Sequence, residues 1–221
     1  MLYYTTKTSI LQIFRYFFIM KQPSEPIAGS SFVIGEQTLF DGRFLALHLI
    51  QYQDQDGIKR SWESAVRVAS TPAVMILPII KPDNEVVVIR QFRPPTGKYI
   101  WETPAGLIDP GEDAGAAALR ELAEETGFSG KLQKVLPPSF SSSGLSGESV
   151  YLAFVEIDGN EYPPDRVLQT DFDESENIAA FRVKAAELNK FLLSAIERGD
   201  GVDSKLLLIS EFYAGDFPGS R

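Results

Sequence analysis

Three glutamates, Glu121, Glu124 and Glu125, lie in a stretch whose composition is that of a helix, Asp113 to Thr126. Asp113 suits the N-cap, five alanines and two leucines follow, and Gly127 suits the position just past the end. At about 100° per residue the three carboxylates share an arc of about 100°. Leu119, Leu122, Ala116 and Ala123 fall on the other side, the face expected to meet a core. Arg120 borders the acidic face and offsets part of the repulsion between Glu121 and Glu125, which are i,i+4 neighbours. Such a face is either a solvated surface or a place for cations. The preceding segment, Ala105-Gly106-Leu107-Ile108-Asp109-Pro110-Gly111-Glu112, favours cations, because a tight glycine-bearing loop can turn a backbone carbonyl toward the cluster. Carboxylates with a carbonyl make an all-oxygen site, which suits Mg²⁺ or Mn²⁺ better than zinc. On an acidic protein such ions make sense if the substrate is a polyanion such as a diphosphate, whose charge they offset.

Composition removes the competing chemistries. The 221 residues carry 21 Lys plus Arg against 30 Asp plus Glu, a formal charge of −9, and the pI is about 4.7. That balance argues against a nucleic-acid-binding surface, which needs a basic stripe. There is no cysteine, so disulfides, thiolate nucleophiles, Cys-based zinc sites and iron–sulfur clusters are excluded. The single histidine, His48, rules out a two-histidine metal site, and it lies in a strand-like run, Phe44 to Ile50, that reads as structural.

The elements that must position the acidic helix follow from pattern. From about Ser30 to Ser70, apolar and β-branched runs are separated by turn signals at Asp41-Gly42 and at Asp54-Gln55-Asp56-Gly57, as in a small antiparallel sheet ahead of the main domain. Val74 to Ile80 and Glu85 to Ile89, joined by Lys81-Pro82-Asp83-Asn84, read as a hairpin of buried strands. Val150 to Ile157 is another strand, Ala185 to Glu197 a helix, and Ser204 to Tyr213 a short last helix. Strands, helix, strands, helix is the order of an α+β sandwich. The division expected is residues 1–22 as an extension, 23–70 as the sheet subdomain and 71–221 as the main domain. Met1 to Met20 is apolar and aromatic but is broken by Lys7, Gln12 and Arg15, well short of the ~18 apolar residues that span a bilayer. Met20 reads as an alternative start, with an amphipathic anchor as the other reading. With no export signal and no disulfides, the expected location is cytoplasmic, without membrane contact.

Gly106, five residues, Glu112, seven residues and then Arg120-Glu121-Leu122-Ala123-Glu124-Glu125-Thr126-Gly127-Phe128 resemble the Nudix box, with Phe128 where a bulky aliphatic residue is usual. Gln91-Phe92-Arg93-Pro94-Pro95, Glu102-Thr103-Pro104-Ala105-Gly106 and Trp62-Glu63-Ser64-Ala65-Val66-Arg67 are similar to the ADP-ribose/ADP-sugar pyrophosphatase branch of that family. The resemblance implies a Nudix α/β/α sandwich with a mixed sheet, and a homodimer to which the N-terminal sheet contributes.

The resemblance also implies roles. The Ala105 carbonyl, Glu121 and Glu125 would hold metal, with Glu124 an additional ligand, while Gly106, Glu112 and Arg120 are structural within the motif. Trp62 would stack on adenine, with core packing as the other reading of an aromatic strand residue. Glu63, Arg67 and Glu102 would add polar contacts. Arg93 would fork onto the diphosphate or ribose, its alternative being a sheet-edge salt bridge. Glu176, then Glu174, are candidate bases in the acidic loop around residues 171–178, and Glu148 stands where relatives place an acidic residue near the metals. Ser143 replaces a proline common in ADP-ribose-specific members.

The resemblance implies Mg²⁺-dependent hydrolysis of ADP-ribose or a related ADP-sugar to AMP and a sugar phosphate. Another nucleoside diphosphate sugar, such as GDP-mannose or UDP-glucose, is the first alternative. The second is a Nudix domain that binds ADP-ribose without cleaving it, against which stands the intact set of box glutamates.

Overall fold

Val74, Ile76 and Ile80 point to one side of their strand and Leu77 to the other, and all four are buried. A strand covered on both faces explains the unbroken apolar run in its sequence. In this computed structural model, which describes residues 30–68, 71–163, 166, 168–171 and 177–214, that strand is the centre of the main sheet. Residues 1–22, Glu174 and Glu176, singled out in the sequence, lie outside the described residues.

The described residues divide into two compact units, one of His48–Glu63 with the described residues up to Leu39, the other of Phe40–Leu47 with the described residues from Ser64 onward. β1 (Phe32–Asp41), β2 (Leu45–Gln53) and β3 (Lys59–Arg67) form a three-stranded antiparallel sheet in the order β1-β2-β3. Its turns fall at the two signals read from the sequence. Gly42 N–H donates to Leu45 O at 2.9 Å, and the Asp54 carboxylate accepts from the Asp56 and Ile58 N–H groups. His48, on β2, sits with Nδ1 against the Glu36 carboxylate and Nε2 3.4 Å from Thr38 Oγ1. Both contacts lie within the small sheet, the structural role expected of it.

The main sheet contains β4 (Ala73–Lys81), β5 (Glu85–Arg93), β6 (Lys98–Glu102), β7 (Ala105–Leu107), β8 (Lys131–Phe140), β9 (Ser149–Asp158), β10 (Ile178–Lys184) and β11 (Gly201–Val202). Its order is β11-β6-β5-β4-β9-β8, with β10 on β5 and β7 on β4. It is mixed: β4 runs parallel to β9 and antiparallel to β5 and β7. β4 and β5 pair only beside their turn, Ile79 with Val86 and Ile80 with Glu85. Beyond it they diverge, β5 taking β6 and β10 while β4 takes β7. That divergence brings the 102–107 segment alongside the box helix.

Helices cover both faces. α1 (Ala114–Thr126) packs with Val74, Ile76, Val87, Ala153 and Val155 through Ala117, Ala118 and Leu122. On the other face α2 (Leu188–Glu197) and α3 (Ser204–Ala214) bury Leu188, Leu192 and Leu206 with Val86, Val88 and Trp101. Full burial of one such leucine is worth about 2 kcal/mol. The result is the expected α/β/α sandwich. α2 begins later than the helix predicted from Ala185, because Ala185–Glu187 is a 3₁₀ turn. Among the described residues no helix is long and apolar enough to cross a membrane.

Candidate active site

The box helix is built as its sequence requires. Asp113 caps it, its carboxylate accepting from the Gly115 and Ala116 N–H groups at 2.9 and 3.1 Å. Gly127 ends it in the left-handed region (φ 71°), its N–H returning to Ala123 O. A side chain there would also stand 2.6 Å from Gln169 O.

The helix is turned differently from expectation. Its buried residues are Gly115, Ala117, Ala118, Leu122, Glu125 and Thr126, whereas Ala116 is exposed and Leu119 and Ala123 are half-buried. On the wheel this rotates the core-facing direction by roughly 90° from the one predicted. The cause is packing by small residues: Gly115, Ala117 and Ala118 let the helix lie close to the sheet, so residue bulk misplaces its inner face. As a consequence the acidic residues are not opposite the core. Glu125 is only 4% exposed, Glu121 and Glu124 are half-buried, and the carboxylates run from the edge of the core outward.

β7 and the loop after it lie along this face. Ala105 N–H donates to Glu125 Oε2 at 3.0 Å. The Cα of Gly106 meets Glu121 so closely that a Cβ would stand 1.9 Å from the carboxylate carbon. Arg120 ties the whole together, with Nε and Nη2 on Glu112, Nη2 also on Leu107 O, and Nη1 on Glu121 Oε1 (2.8 Å) and Glu124 Oε2 (2.9 Å). Glu112 foremost, then Glu121 and Glu124, hold the Arg120 guanidinium protonated more firmly than an ordinary arginine, against the opposing effect of burial. In return Arg120, with the Asp109 N–H, holds the Glu112 carboxyl below the usual range.

A second cluster lies on β5 and β6. Arg93 folds back over its strand to Glu102, with Nε at 3.1 and 3.0 Å from the two carboxylate oxygens and Nη2 at 2.6 Å from Oε2. This is the salt bridge that stood as the alternative reading of Arg93. Gln91 Nε2 donates to the same Glu102 Oε2 at 3.2 Å. Gln91 is 6% exposed, a buried polar residue that sequence reasoning saw only as part of a motif. The available signal was its two-residue spacing from Arg93, which places both on one face of a strand.

A pocket of about 220 Å³ is lined by Ala65, Arg67, Pro72, Ser146, Glu148 and their neighbours. Arg67 Nε bonds the Glu148 carboxylate beside it, and Ala65 N–H donates to Leu145 O at 2.9 Å. Arg67 and Glu148, which stand in separate motifs of the sequence, are paired in the structure. Trp62, on β3, is 52% exposed, which excludes the core reading; Glu63 is exposed beside it. Asp171 N–H, at the entrance to the acidic loop, donates to Glu124 O at 2.9 Å.

With this geometry in view, the NUDIX domain pattern matches residues 69–199, more than half of the chain. The chain belongs to the NUDIX family. An ADP-ribose pyrophosphatase of Saccharomyces cerevisiae is 36% identical over 183 residues, 77% of each chain. An ADP-sugar pyrophosphatase of Mus musculus is 33% identical over 148 residues, 64% of this chain and 68% of the mouse one. The crystal structure of an ADP compounds hydrolase superposes with a TM-score of 0.62 at 25% identity, covering 87% of this chain and 99% of the other.

The Nudix site fits a hard divalent ion in donor chemistry. Glu121, Glu124 and Glu125 offer only oxygen, and Gly106 leaves room for the Glu121 carboxylate that any side chain would fill. Among the described residues no three acidic or histidine groups already stand as a ligand cluster. In this arrangement Arg120 spans Glu121 and Glu124, and the Ala105 N–H engages Glu125.

Proposed function

We propose that this Nudix protein hydrolyses the diphosphate of ADP-ribose or a related ADP-sugar, releasing AMP and a sugar phosphate. The observation that carries the reading is the carboxylate face of α1 laid along the Ala105–Leu107 strand, with its oxygens held by Arg120 and the Ala105 N–H. The relatives named for ADP-ribose, ADP-sugar and ADP compounds support the choice of substrate.

Mg²⁺, with Mn²⁺ as substitute, would be held by the Ala105 carbonyl, Glu121, Glu125 and Glu124. When bound it supplies charge compensation on the phosphoryl oxygens and polarises the bond to be broken. The chain's own residues do the rest. Arg93 presents guanidinium N–H groups to the diphosphate, and Trp62 offers an indole face to adenine, with Glu63, Arg67 and Glu102 fixing polar edges. Glu176 takes the proton of the attacking water, with Glu174 next in line and Glu148 beside Arg67 a further acidic group. Gly106, Glu112 and Arg120 keep the box loop and α1 in register.

The exposed apolar side chains of the small sheet, Phe32, Val33, Phe40 and Leu45 among them, support a homodimer through that region, which light scattering checks. A cytoplasmic location completes the reading, and a fluorescent fusion tests it.

The test of substrate is a panel of ADP-ribose, ADP-glucose, GDP-mannose and UDP-glucose, each with Mg²⁺ and with chelator. AMP release from the adenine substrates ahead of the others is expected. Preference for a guanine or uridine sugar overturns the substrate assignment and makes Ser143 part of the reason.

A further inference from the structure

Arg93 has two hydrogen-bonding edges, and only one is turned toward Glu102. Its Nε and Nη2 groups lie at 3.0 and 2.6 Å from Glu102 Oε2, which leaves the Nη1 group to reach a phosphate oxygen. The direction of that free edge is therefore set by where the Glu102 carboxylate sits. Strand geometry alone does not fix it. Glu102 stands opposite Ile89, while Arg93 stands opposite Lys98, so the ion pair runs obliquely along the two strands rather than straight across. A long side chain bent back in this way has several rotamers of similar energy unless the acceptor is pinned.

Gln91 supplies the pin. It lies between Ile89 and Arg93 on β5, is flanked by Ile100 of β6 on one side and Ile178 of β10 on the other, and is 6% exposed. Its Nε2 reaches the same oxygen, Glu102 Oε2, that receives Arg93. A buried amide donor on a carboxylate is a charge-assisted bond, and inside a sheet both its partners are held by backbone pairing.

We propose that Gln91 is a positioning residue for substrate binding: by pinning Glu102 it aims the free edge of Arg93 at the diphosphate. The inference rests on the hydrolase reading for the identity of the ligand, though not for the Gln91–Glu102–Arg93 relay. Gln91 acts through Glu102 and Arg93 and touches no reacting atom, so its removal weakens substrate binding more than the chemical step.

The experiment uses Gln91→Met, which keeps volume and removes the donor, and Gln91→Glu, which sets a second carboxylate beside Glu102. With ADP-ribose and Mg²⁺, KM is expected to rise about tenfold in Gln91→Met and further in Gln91→Glu, with kcat changing by less than about threefold. In an Arg93→Ala background the same Gln91→Met change is expected to leave KM unaltered, since no free edge remains to be aimed. A KM penalty that persists without Arg93, or a loss in kcat alone, overturns the proposal and makes Gln91 merely structural. A readout independent of turnover is the Arg93 Nε–H resonance, identified by its loss in Arg93→Lys. It is expected to shift and broaden in Gln91→Met, and an unchanged resonance overturns the relay. If wild type turns over no nucleoside diphosphate sugar, the hydrolase reading fails while the resonance still judges the relay.

Discussion

Gly106 and Glu121 are in such close approach that a single methyl group on the glycine would stand 1.9 Å from the carboxylate carbon. The glycine of the box thus serves space rather than flexibility: Glu121 lies flat on the backbone of β7. Gly106→Ala is expected to push Glu121 off this surface. Turnover should fall at least about tenfold, with a stability loss of about 1–3 kcal/mol from overpacking. Urea unfolding beside steady-state kinetics checks both. A fully active Gly106→Ala would show that Glu121 is free to relocate.

Glu125 is the most buried of the three helix carboxylates and already bonds the Ala105 N–H. Glutamine in its place keeps an oxygen for that N–H and removes the charge. Glu125→Gln is therefore expected to unfold near the wild-type midpoint and to lose about a hundredfold or more in kcat. Isothermal titration with Mg²⁺ should show weakened binding in the same variant. Unchanged kcat would remove Glu125 from the metal assignment.

Arg120 holds Glu112 below the range of an unfolded glutamate. A carboxylate depressed by folding adds stability above its unfolded value, and that contribution is lost as the pH falls through the folded value. Thermal melts of wild type and Glu112→Gln from about pH 7 down to about pH 3 are expected to differ most near neutrality and to converge on acidification. A gap independent of pH would mean that the pair contributes through packing and not through charge.

Asp113 caps α1 with two hydrogen bonds and takes no part in the carboxylate cluster. Asp113→Ala is expected to cost about 1 kcal/mol of stability and to leave KM within about twofold. Chemical denaturation with parallel kinetics separates the two. A large rise in KM would show that the cap sets the helix position that the site depends on.

Much of this was legible in the sequence because it is local. The Asp113 cap, the Gly127 terminus, the β4–β5 hairpin and both turns of the small sheet each rest on residues a few positions apart. The rotation of α1 was not legible, since it depends on Gly115, Ala117 and Ala118 meeting strands distant in sequence. Nor was the Gln91–Glu102 contact, which needs the register of β5 against β6. The pairing of Arg67 with Glu148 spans 81 positions and follows from no pattern in either segment. Glu112 and Arg120, by contrast, carry a structural role that the resemblance to the motif already implied, and the structure realises it as an ion pair.

The most direct test of the central claim is AMP release from ADP-ribose by wild-type protein stripped with chelator and then titrated with Mg²⁺. Turnover should be absent in chelator and recover saturably with Mg²⁺, giving AMP and ribose 5-phosphate in equal amounts. Tight binding of ADP-ribose with no AMP at any Mg²⁺ concentration would contradict that claim and make the protein a sensor of the nucleotide rather than its hydrolase.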